Sequence, residues 1–493
     1  MAKRRLVIIT ALGIIFLILL FYYLKPGTAP YIVKEEELEK IPTEEAIFGY
    51  EKTDELWMGV YVGDKKVGYA YTRLKRKEKT REIYQKMYLK VIQLGQVQEL
   101  FATTIVNTDE NYTPKNFDFI LESLQQKMKV RGFFKKDKLF LNVETPEFKR
   151  DLTLDVHGIS QLPVTLEKLI EEGKIKNKME FSYFDPTTFK MEKGVVEYLG
   201  KSEVDYKGKK ILADHYRMKV SVLVTDVWLD EKGILRQETQ PQMVFLRESP
   251  DEAVKIEGRP LNILLRFAVK PEGKKIDESK RDNYKRAVYR LSNIDLSALD
   301  IELASQRILE KGEDYVVIET FKDEVRDVSK IDTTGVSKYL KPSAFIQSDD
   351  PLIIDFAKKG AKTFSNYKEA AKNLTFYVYN YLEKKAVVSF PSALDVLKMK
   401  KGDCNEHSVL FTASARALGI PSEIAVGLVF TEGYFYYHAW NAIYLDKWIF
   451  VDPTFGQFPA DPLHIMLKLG GVEKQADVMA VVGKIKIEVI ELK

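Results

Sequence analysis

The first apolar run of the chain extends from Leu6 to Leu24 without a charged residue. A helix of about 20 apolar residues, with a rise of about 1.5 Å per residue, is long enough to cross the hydrocarbon core of a bilayer. The run follows a basic end at residues 3–5, and the positive-inside rule keeps such an end in the cytoplasm. The pattern predicts a cytoplasmic N-terminus (1–5), a transmembrane signal anchor (6–24) and an extracytoplasmic location for the remainder.

A cleaved signal peptide is the alternative explanation of this run. The apolar part of a signal peptide normally spans about 7 to 15 residues and ends in a small-residue cleavage site. Here the run is longer and ends with Phe21, Tyr22 and Tyr23. An uncleaved anchor is therefore favoured, and both alternatives place the bulk of the chain outside the cytoplasm.

Beyond a linker at residues 25–50, apolar and polar residues alternate with a period of two, which is typical of strands that bury one face. In Leu56–Leu74 two such segments flank Gly63 and Asp64, which indicates a hairpin. A helix is indicated around Leu162–Glu172. Together the segments predict a largely antiparallel β-rich domain over residues 51–250. The other strand candidates are Ile83–Ile105, Phe117–Leu121, Lys127–Phe134, Leu139–Val143, Met179–Phe184, Gly194–Leu199, Tyr216–Val224 and Val227–Glu238.

Turn residues at Ser249, Pro250 and Gly258 mark the end of this domain. Two further apolar segments, Leu261–Val269 and Ala287–Leu291, predict a small β module over residues 251–335. The pattern leaves open whether this module is separate or extends the first sheet.

From Pro342 onwards the apolar spacing becomes helical, with a typical helix start at Asp350 and Pro351. Three helices followed by three strands are predicted, so a helix would lie on an antiparallel sheet in a domain of residues 336–493. The fold class expected for the whole chain is α+β. The predicted segments are helices from Pro351, at 366–383 and at 404–418, and strands at 423–430, 434–445 and 448–452.

Composition narrows the class of protein further. Hydrophobic residues make up 45% and charged residues 30%, as in folded globular domains rather than disordered chains. The 76 basic residues nearly balance the 72 acidic ones, and the basic runs alternate with acids, so we do not expect nucleic acid as a partner. The chain has one cysteine, Cys404, which excludes an intramolecular disulfide.

Three residues of the C-terminal domain suggest nucleophilic chemistry. Cys404 opens a predicted helix, where unpaired N–H groups and the helix dipole favour a reactive thiolate. A cysteine nucleophile needs a base, and the base needs a carboxylate to orient it. His438 in a predicted strand and Asp452 at the end of the next strand could supply these groups. A lone buried cysteine without chemistry is the alternative.

The hairpin between the two strands decides whether this trio can form. With a strict two-residue loop at Asp446 and Lys447, Asp452 would lie on the opposite face of the sheet from His438. A three-residue loop that pairs Tyr444 with Trp448 brings Asp452 to the same face. We therefore predict such a loop or an equivalent bulge.

The same residues resemble a known family. The blocks GDCNEHSVLFTASARALGIPSEIAVG, YHAWNAIYL and WIFVDPTFGQ resemble the transglutaminase-like superfamily. The resemblance implies a papain-related fold over the C-terminal domain, with a helix-start cysteine packed on an antiparallel sheet. It also implies a catalytic triad of Cys404, His438 and Asp452. With the predicted anchor, the chain would be a membrane-anchored bacterial or archaeal member.

Further positions match the family as support for the site. They are Trp440, Asn441, Glu406, Pro453 and Thr454. At position 407 the family has an apolar or aromatic residue, whereas this chain has His407. We interpret it first as a structural histidine. It lies one helical turn after Cys404, however, and could reach the active-site cleft. His464 is a candidate for the layer behind the triad.

A site of this kind attacks a peptide or carboxamide carbonyl and forms a thioester. Water as acceptor gives hydrolysis, so a peptidase or amidase acting on a protein or peptide is expected. A crosslinking transglutaminase with a lysine acceptor, and a non-catalytic surface binding or assembly protein, are the alternatives. No cofactor and no metal are expected, because the sequence contains no calcium loop of alternating acidic ligands.

Overall fold

The structure, a computed structural model, describes residues 53–93, 96–123, 127–144, 149–158, 160–186, 190–220, 223–239, 243–258, 260–262, 268–294, 301–343, 345–384, 392–470, 478 and 485–493. The predicted cytoplasmic N-terminus (1–5), anchor (6–24) and linker (25–50) lie outside these residues. Among the described residues, no helix combines the length and apolarity that a membrane crossing requires.

The predicted α+β class is wrong, because the chain is mostly β. Strands account for 54% and helices for 19% of the described residues. The reason is that the region before residue 262 is almost entirely strand, whereas the longer helices are concentrated between Pro351 and Ala417. The helical periodicity of the C-terminal part therefore led to an overestimate of the share of helix in the whole chain.

The chain divides into two compact units between Leu261 and Asn262. The strands of the first region are β1 Thr53–Val62, β2 Lys65–Lys77, β3 Thr80–Gln93, β4 Gln96–Asp109, β5 Pro114–Ser123, β6 Lys127–Lys135, β7 Lys138–Glu144, β8 Lys149–Asp155, β9 Ser160–Gln161, β10 Lys178–Asp185, β11 Lys190–Tyr206, β12 Lys209–Val220, β13 Leu223–Asp230, β14 Gly233–Thr239, β15 Met243–Arg247 and β16 Leu261–Asn262. The helices are α1 Pro163–Glu171 and α2 Pro250–Val254.

These strands form one 16-stranded sheet within the described residues. Its order is β8-β7-β6-β5-β4-β3-β2-β1-β15-β14-β13-β12-β11-β10-β9, with β16 paired to β3. The alternation seen in the sequence is real: in β2 the side chains of Val67, Ala70, Thr72 and Leu74 are buried and those between them are partly exposed. The predicted hairpin at Gly63 is confirmed, with Val62 paired to Lys65.

The second unit contains a five-stranded sheet in the order β17-β27-β18-β20-β19. The strands between Glu272 and Phe321 therefore share a sheet with β27, a strand close to the C-terminal end of the described residues. The strands are β17 Glu272–Gly273, β18 Arg286–Ser292, β19 Gln306–Lys311, β20 Tyr315–Phe321 and β27 Lys486–Leu492.

Among the described residues, four α-helices of seven or more residues, a four-stranded sheet and the two-stranded sheet of Glu383–Lys384 and Lys401–Gly402 complete the second unit. The sheet has the order β25-β24-β23-β26, and the helix α6 packs against β23 and β24. Two short 3-10 helices lie at Glu278–Asn283 and Ser337–Leu340. The remaining elements are α3 Pro351–Ala361, α4 Tyr367–Tyr381, β21 Glu383–Lys384, α5 Ala393–Met399, β22 Lys401–Gly402, α6 Cys404–Ala417, β23 Ser422–Thr431, β24 Tyr434–Tyr444, β25 Trp448–Val451 and β26 His464–Leu469.

Candidate active site

Helix α6 begins at Cys404, as the sequence predicted. Asp403 is its N-cap: the Oδ1 atom accepts a hydrogen bond from Asn405 N at 2.9 Å. Glu406 Oε2 accepts in return from Asp403 N at 2.8 Å, which completes a capping box. The first turn of α6 is thus held by its own side chains, and Cys404 has a defined position.

The Cys404 side chain is fully buried and faces β24. Its sulfur lies within hydrogen-bonding reach of the backbone N–H of Ala439, the residue after His438. Packing of α6 on β24 therefore brings the thiol next to the strand that carries the predicted base.

The hairpin after β24 has the predicted three-residue loop. Tyr444 pairs with Trp448, and Asn441 pairs with Val451. Asp452 follows β25 on the face that His438 occupies, and His438 Nε2 lies 2.8 Å from Asp452 Oδ2. The register prediction is confirmed, and both side chains are fully buried.

The Asp452 carboxylate is held at both oxygens. Its Oδ1 atom accepts hydrogen bonds from the backbone N–H groups of Thr454 at 2.6 Å and Phe455 at 3.0 Å. The Oδ2 atom bonds to His438 and also to His464 Nε2 at 3.1 Å. Burial alone would raise the pKa of Asp452, but its hydrogen bonds to the two histidines and the charge of His464 outweigh burial and hold the pKa well below its usual range. This carboxylate is ionised.

The two histidines differ in protonation. Burial lowers the pKa of His438 and outweighs the opposing effect of Asp452, so its imidazole is neutral at neutral pH. Burial acts in the same direction on His464, but the charge of Asp461 and the hydrogen bonds to Asp452 and Asp461 raise its pKa to about 9. His464 is therefore an imidazolium under the same conditions.

The thiol is not activated in the way that the helix start predicted. Burial raises the pKa of the Cys404 thiol, and the charge of Asp403 raises it further. The hydrogen bond from Ala439 N–H opposes these effects without overcoming them. At neutral pH the Cys404 thiol is therefore neutral, and so is the His438 imidazole on the neighbouring strand β24.

The predicted support residues have mainly structural contacts. Asn441 Nδ2 donates to Thr412 Oγ1 at 2.7 Å and to Ser408 O at 3.1 Å, which ties β24 to α6. Trp440 is fully buried, and its ring lies 5.9 Å from that of His438. Glu406 belongs to the capping box. Asn441 and Glu406 thus hold α6 in place, and Trp440 packs beside His438.

His407 is a buried histidine of α6. Its Nδ1 atom lies 2.6 Å from Asp403 O, and burial lowers its pKa to about 4. Within the described part of the chain, its Nε2 atom has no hydrogen-bond partner. The neutral ring fits the structural interpretation of this residue.

Some residues around the site were not predicted. The Phe455 ring stacks on His438 at 4.9 Å with an interplanar angle of 14°. Asp461 and Arg281 reach the site through His464, with Arg281 Nη1 at 2.9 Å from Asp461 Oδ2. Phe455 lies within the block WIFVDPTFGQ and could have been proposed, but no local signal connects Arg281 with a residue 180 positions later.

His438, Asp452 and His464 also form a group with the spacing of metal ligands. One ligand atom from each lies within 4.8 Å of the others, and no second group of this kind occurs among the residues that the structure describes. However, both imidazole contacts with Asp452 have hydrogen-bond lengths, 2.8 and 3.1 Å. A metal would have to replace both N–H protons, so we interpret the group as hydrogen-bonded.

Comparison with known proteins bears on the second unit. The Transglutaminase-like superfamily model matches residues 354–453, a segment that contains Cys404, His438 and Asp452. The chain therefore contains a transglutaminase-like domain, as its sequence blocks predicted. No curated protein matches the chain.

Three solved structures are similar to parts of the chain. A candidate cysteine protease from Cytophaga hutchinsonii shares 18% identity over 43% of this chain and 87% of its own, with a TM-score of 0.29. A β-barrel-like DUF1849 protein from Brucella abortus shares 12% over 40% and 95%, with a TM-score of 0.31. A duf1089 family protein from Pseudomonas aeruginosa shares 12% over 35% and 90%, with a TM-score of 0.23. At these TM-scores, none of the three bears on the function.

Proposed function

We propose that the transglutaminase-like domain is a cysteine-dependent acyl-transfer enzyme that hydrolyses a peptide or carboxamide bond. In this proposal Cys404 is the nucleophile, His438 the base and Asp452 the carboxylate that orients it. One observation carries the proposal: His438 Nε2 bonds to Asp452 Oδ2 at 2.8 Å, while the Cys404 sulfur contacts the N–H of the next residue on the same strand.

The charge states define the first chemical step. Because Nε2 of His438 faces an ionised carboxylate, its proton lies on Nε2 and the Nδ1 atom carries the lone pair. As the sulfur attacks the substrate carbonyl carbon, Nδ1 takes the thiol proton, and Asp452 stabilises the imidazolium. The imidazolium then returns the proton to the leaving amine, the C–N bond breaks, and a thioester remains.

Hydrolysis reverses this sequence with water in place of the amine. Nδ1 takes a proton from water, the oxygen adds to the thioester carbonyl, and the thiol leaves with the proton. The backbone N–H of Cys404 lies in the first turn of α6, where N–H groups lack partners within the helix, and would donate to the developing oxyanion. An amine in place of water would give a crosslink by the same steps.

The test uses the full chain and a mixed peptide library analysed by mass spectrometry. Hydroxylamine intercepts a thioester, so we expect hydroxamates in its presence and hydrolysed or deamidated peptides in its absence. Cys404→Ala and His438→Ala should abolish both products. Ser414→Ala is the matched control, since it also removes one buried polar atom from α6.

The result separates the alternatives. Products joined to peptide lysines rather than to water would replace hydrolysis with crosslinking. Products that persist in Cys404→Ala would overturn the proposal. An absence of all acyl transfer from a folded wild-type chain would support the binding-protein alternative.

A further inference from the structure

Asp452 Oδ2 is shared by two imidazoles that approach from different strands. His438 lies on β24 and His464 begins β26, while β23 runs between these two strands. The three side chains are each at most 1% exposed. Hydrogen bonds thus hold the Asp452 carboxylate both from the side of His438, the proposed base, and from the side of His464.

The contacts of His464 require both of its nitrogens to donate. Nε2 faces the Asp452 carboxylate at 3.1 Å, and Nδ1 faces Asp461 O and Oδ1, each at 3.1 Å. A carbonyl oxygen and an ionised carboxylate only accept hydrogen bonds. An imidazole that donates on both sides is an imidazolium, and the pKa of about 9 agrees with this geometry.

Asp461 is in turn held by three donors. Its Oδ2 atom accepts from Arg281 Nη1 at 2.9 Å and from Gln457 Nε2 at 2.7 Å. Its Oδ1 atom accepts from Leu463 N at 2.8 Å. The charges therefore alternate from Asp452 through His464 and Asp461 to Arg281, so each of these four groups has an oppositely charged neighbour.

We propose that His464, held by Asp461, is a positioning residue that keeps Asp452 ionised and directed at His438 throughout the reaction. The inference rests on the proposed function. Because Asp452 is bonded on both sides, it cannot turn towards His464 without losing His438, and the positive charge of His464 keeps Asp452 ionised while His438 is neutral. His464 touches neither substrate nor thiol in this scheme.

The charged and titratable groups that face His464 are few. Asp452 and His438 face it from the β24–β25 hairpin, Asp461 from the turn before β26, and Arg281 through Asp461 from its 3-10 helix. Replacing His464 removes a positive charge that lowers the pKa of His438. The pH at which His438 becomes protonated must then rise.

The kinetic test measures kcat/KM against pH for His464→Gln and Asp461→Asn. In the wild type, activity should fall on the acidic side as His438 gains its proton, and above about pH 9 as His464 loses its own. His464→Gln should move the acidic fall to higher pH, abolish the fall near pH 9 and lower kcat about 10²-fold. Asp461→Asn should move the upper fall to lower pH.

The control is Gln306→Leu. Gln306 bonds to Met466 N and Met466 O at 2.8 and 2.9 Å, so this change loosens β26 two residues from His464 without touching the charges. A loss of stability with an unchanged pH profile is expected. If His464→Gln also lowers kcat at every pH by one factor and leaves both pH limits in place, His464 is merely structural and the inference is wrong.

A second readout does not depend on activity. In inactive Cys404→Ala labelled with 15N-histidine, the five histidines of the chain can be followed by NMR. One imidazolium that persists to about pH 9 and titrates lower in Asp461→Asn supports the inference even if no substrate is found. The inference would be overturned if every histidine titrated near the ordinary histidine pKa. It would also be overturned if the protein bound a stoichiometric zinc ion through His438 and His464.

Discussion

His438 Nε2 lies 2.8 Å from Asp452 Oδ2, and both groups are closed off from solvent. In such a pair the carboxylate selects which imidazole nitrogen carries the proton. Asp452→Asn would present an amide donor to Nε2 and move the proton to Nδ1, the atom that must accept from the thiol. We expect kcat to fall by about 10⁴, measured by peptide hydrolysis. Activity within tenfold of the wild type, in a variant with unchanged thermal unfolding, would rule out the proposed role.

The reactivity of Cys404 tests the charge state of the thiol. Because burial and the Asp403 charge raise its pKa, we expect slow iodoacetamide labelling of the native chain at pH 7. Labelling in urea at the same pH should be faster, and all of it reports on Cys404, the single cysteine. Rapid native labelling below pH 7 that His438→Ala abolishes would instead reveal a thiolate.

Asp403→Asn isolates the contribution of the neighbouring carboxylate. Burial and the neighbouring Glu406 raise the pKa of Asp403, so its carboxyl acts on the thiol as a charge only at pH values where it is ionised. Asparagine can still accept from Asn405 N–H, so the cap should persist while that charge disappears. The pKa of Cys404 should fall, and labelling should begin at lower pH than in the wild type. Asp403→Ala removes both cap and charge, and should in addition lower the free energy of unfolding by about 1 kcal/mol. Identical labelling profiles for wild type and Asp403→Asn would contradict this account.

Gly427 allows β26 to approach β23. It pairs with His438 on one side and Met466 on the other, and a Cβ atom there would lie 2.1 Å from Ile465 O. Gly427→Ala should therefore push β26 outward and lower the free energy of unfolding by about 1 to 3 kcal/mol in urea titrations. It should also weaken the contact between His464 and Asp452. A change below about 0.5 kcal/mol would show that the backbone adjusts without cost.

Glu167 in α1 gives the first unit a pH dependence of its own. Burial raises its pKa to about 7 despite a 3.2 Å hydrogen bond from Gln85 Nε2. A raised pKa means that protonation favours the folded state, so stability is greatest below pH 4.5 and falls as pH rises through 7. The difference corresponds to about 3 kcal/mol.

Glu167→Gln should remove this fall. Urea unfolding at pH 5 should differ little between the variant and the wild type, whereas at pH 8 the variant should be the more stable. Equal stabilities at both pH values would mean that Glu167 has an ordinary pKa in the folded chain.

The sequence predicted the parts of the site that depend on local pattern. The start of α6 at Cys404 follows from its cap, and the alternation in β24 and β25, together with the requirement that Asp452 face His438, led to the predicted Tyr444–Trp448 pair. The His464 contact depends on β26 lying beside β23, a pairing that no short-range spacing specifies. The raised pKa of the thiol was missed because a helix start favours a thiolate only when burial and a neighbouring Asp403 do not oppose it.

At the level of the fold, the individual segments were predicted better than the class of the whole chain. The helix at Pro163–Glu171 and the hairpin at Gly63 were anticipated, yet the α+β class was not correct. Most strands of the 16-stranded sheet were predicted individually, but the class assigned to the whole chain gave the few strongly periodic helices of the C-terminal domain as much weight as this much larger sheet.

The pairing of β27 with β18 has a consequence for biosynthesis. Arg290 of β18 is matched to Glu488 of β27, so the ribosome must add almost 200 residues before this edge finds its neighbour. Until then β18 is an uncovered edge on the nascent polypeptide, and edges of this kind recruit chaperones or aggregate. A nonsense codon shortly before Lys486 would leave the codons of all active-site residues in the message. The released chain would nevertheless lack β27, so its five-stranded sheet could not form.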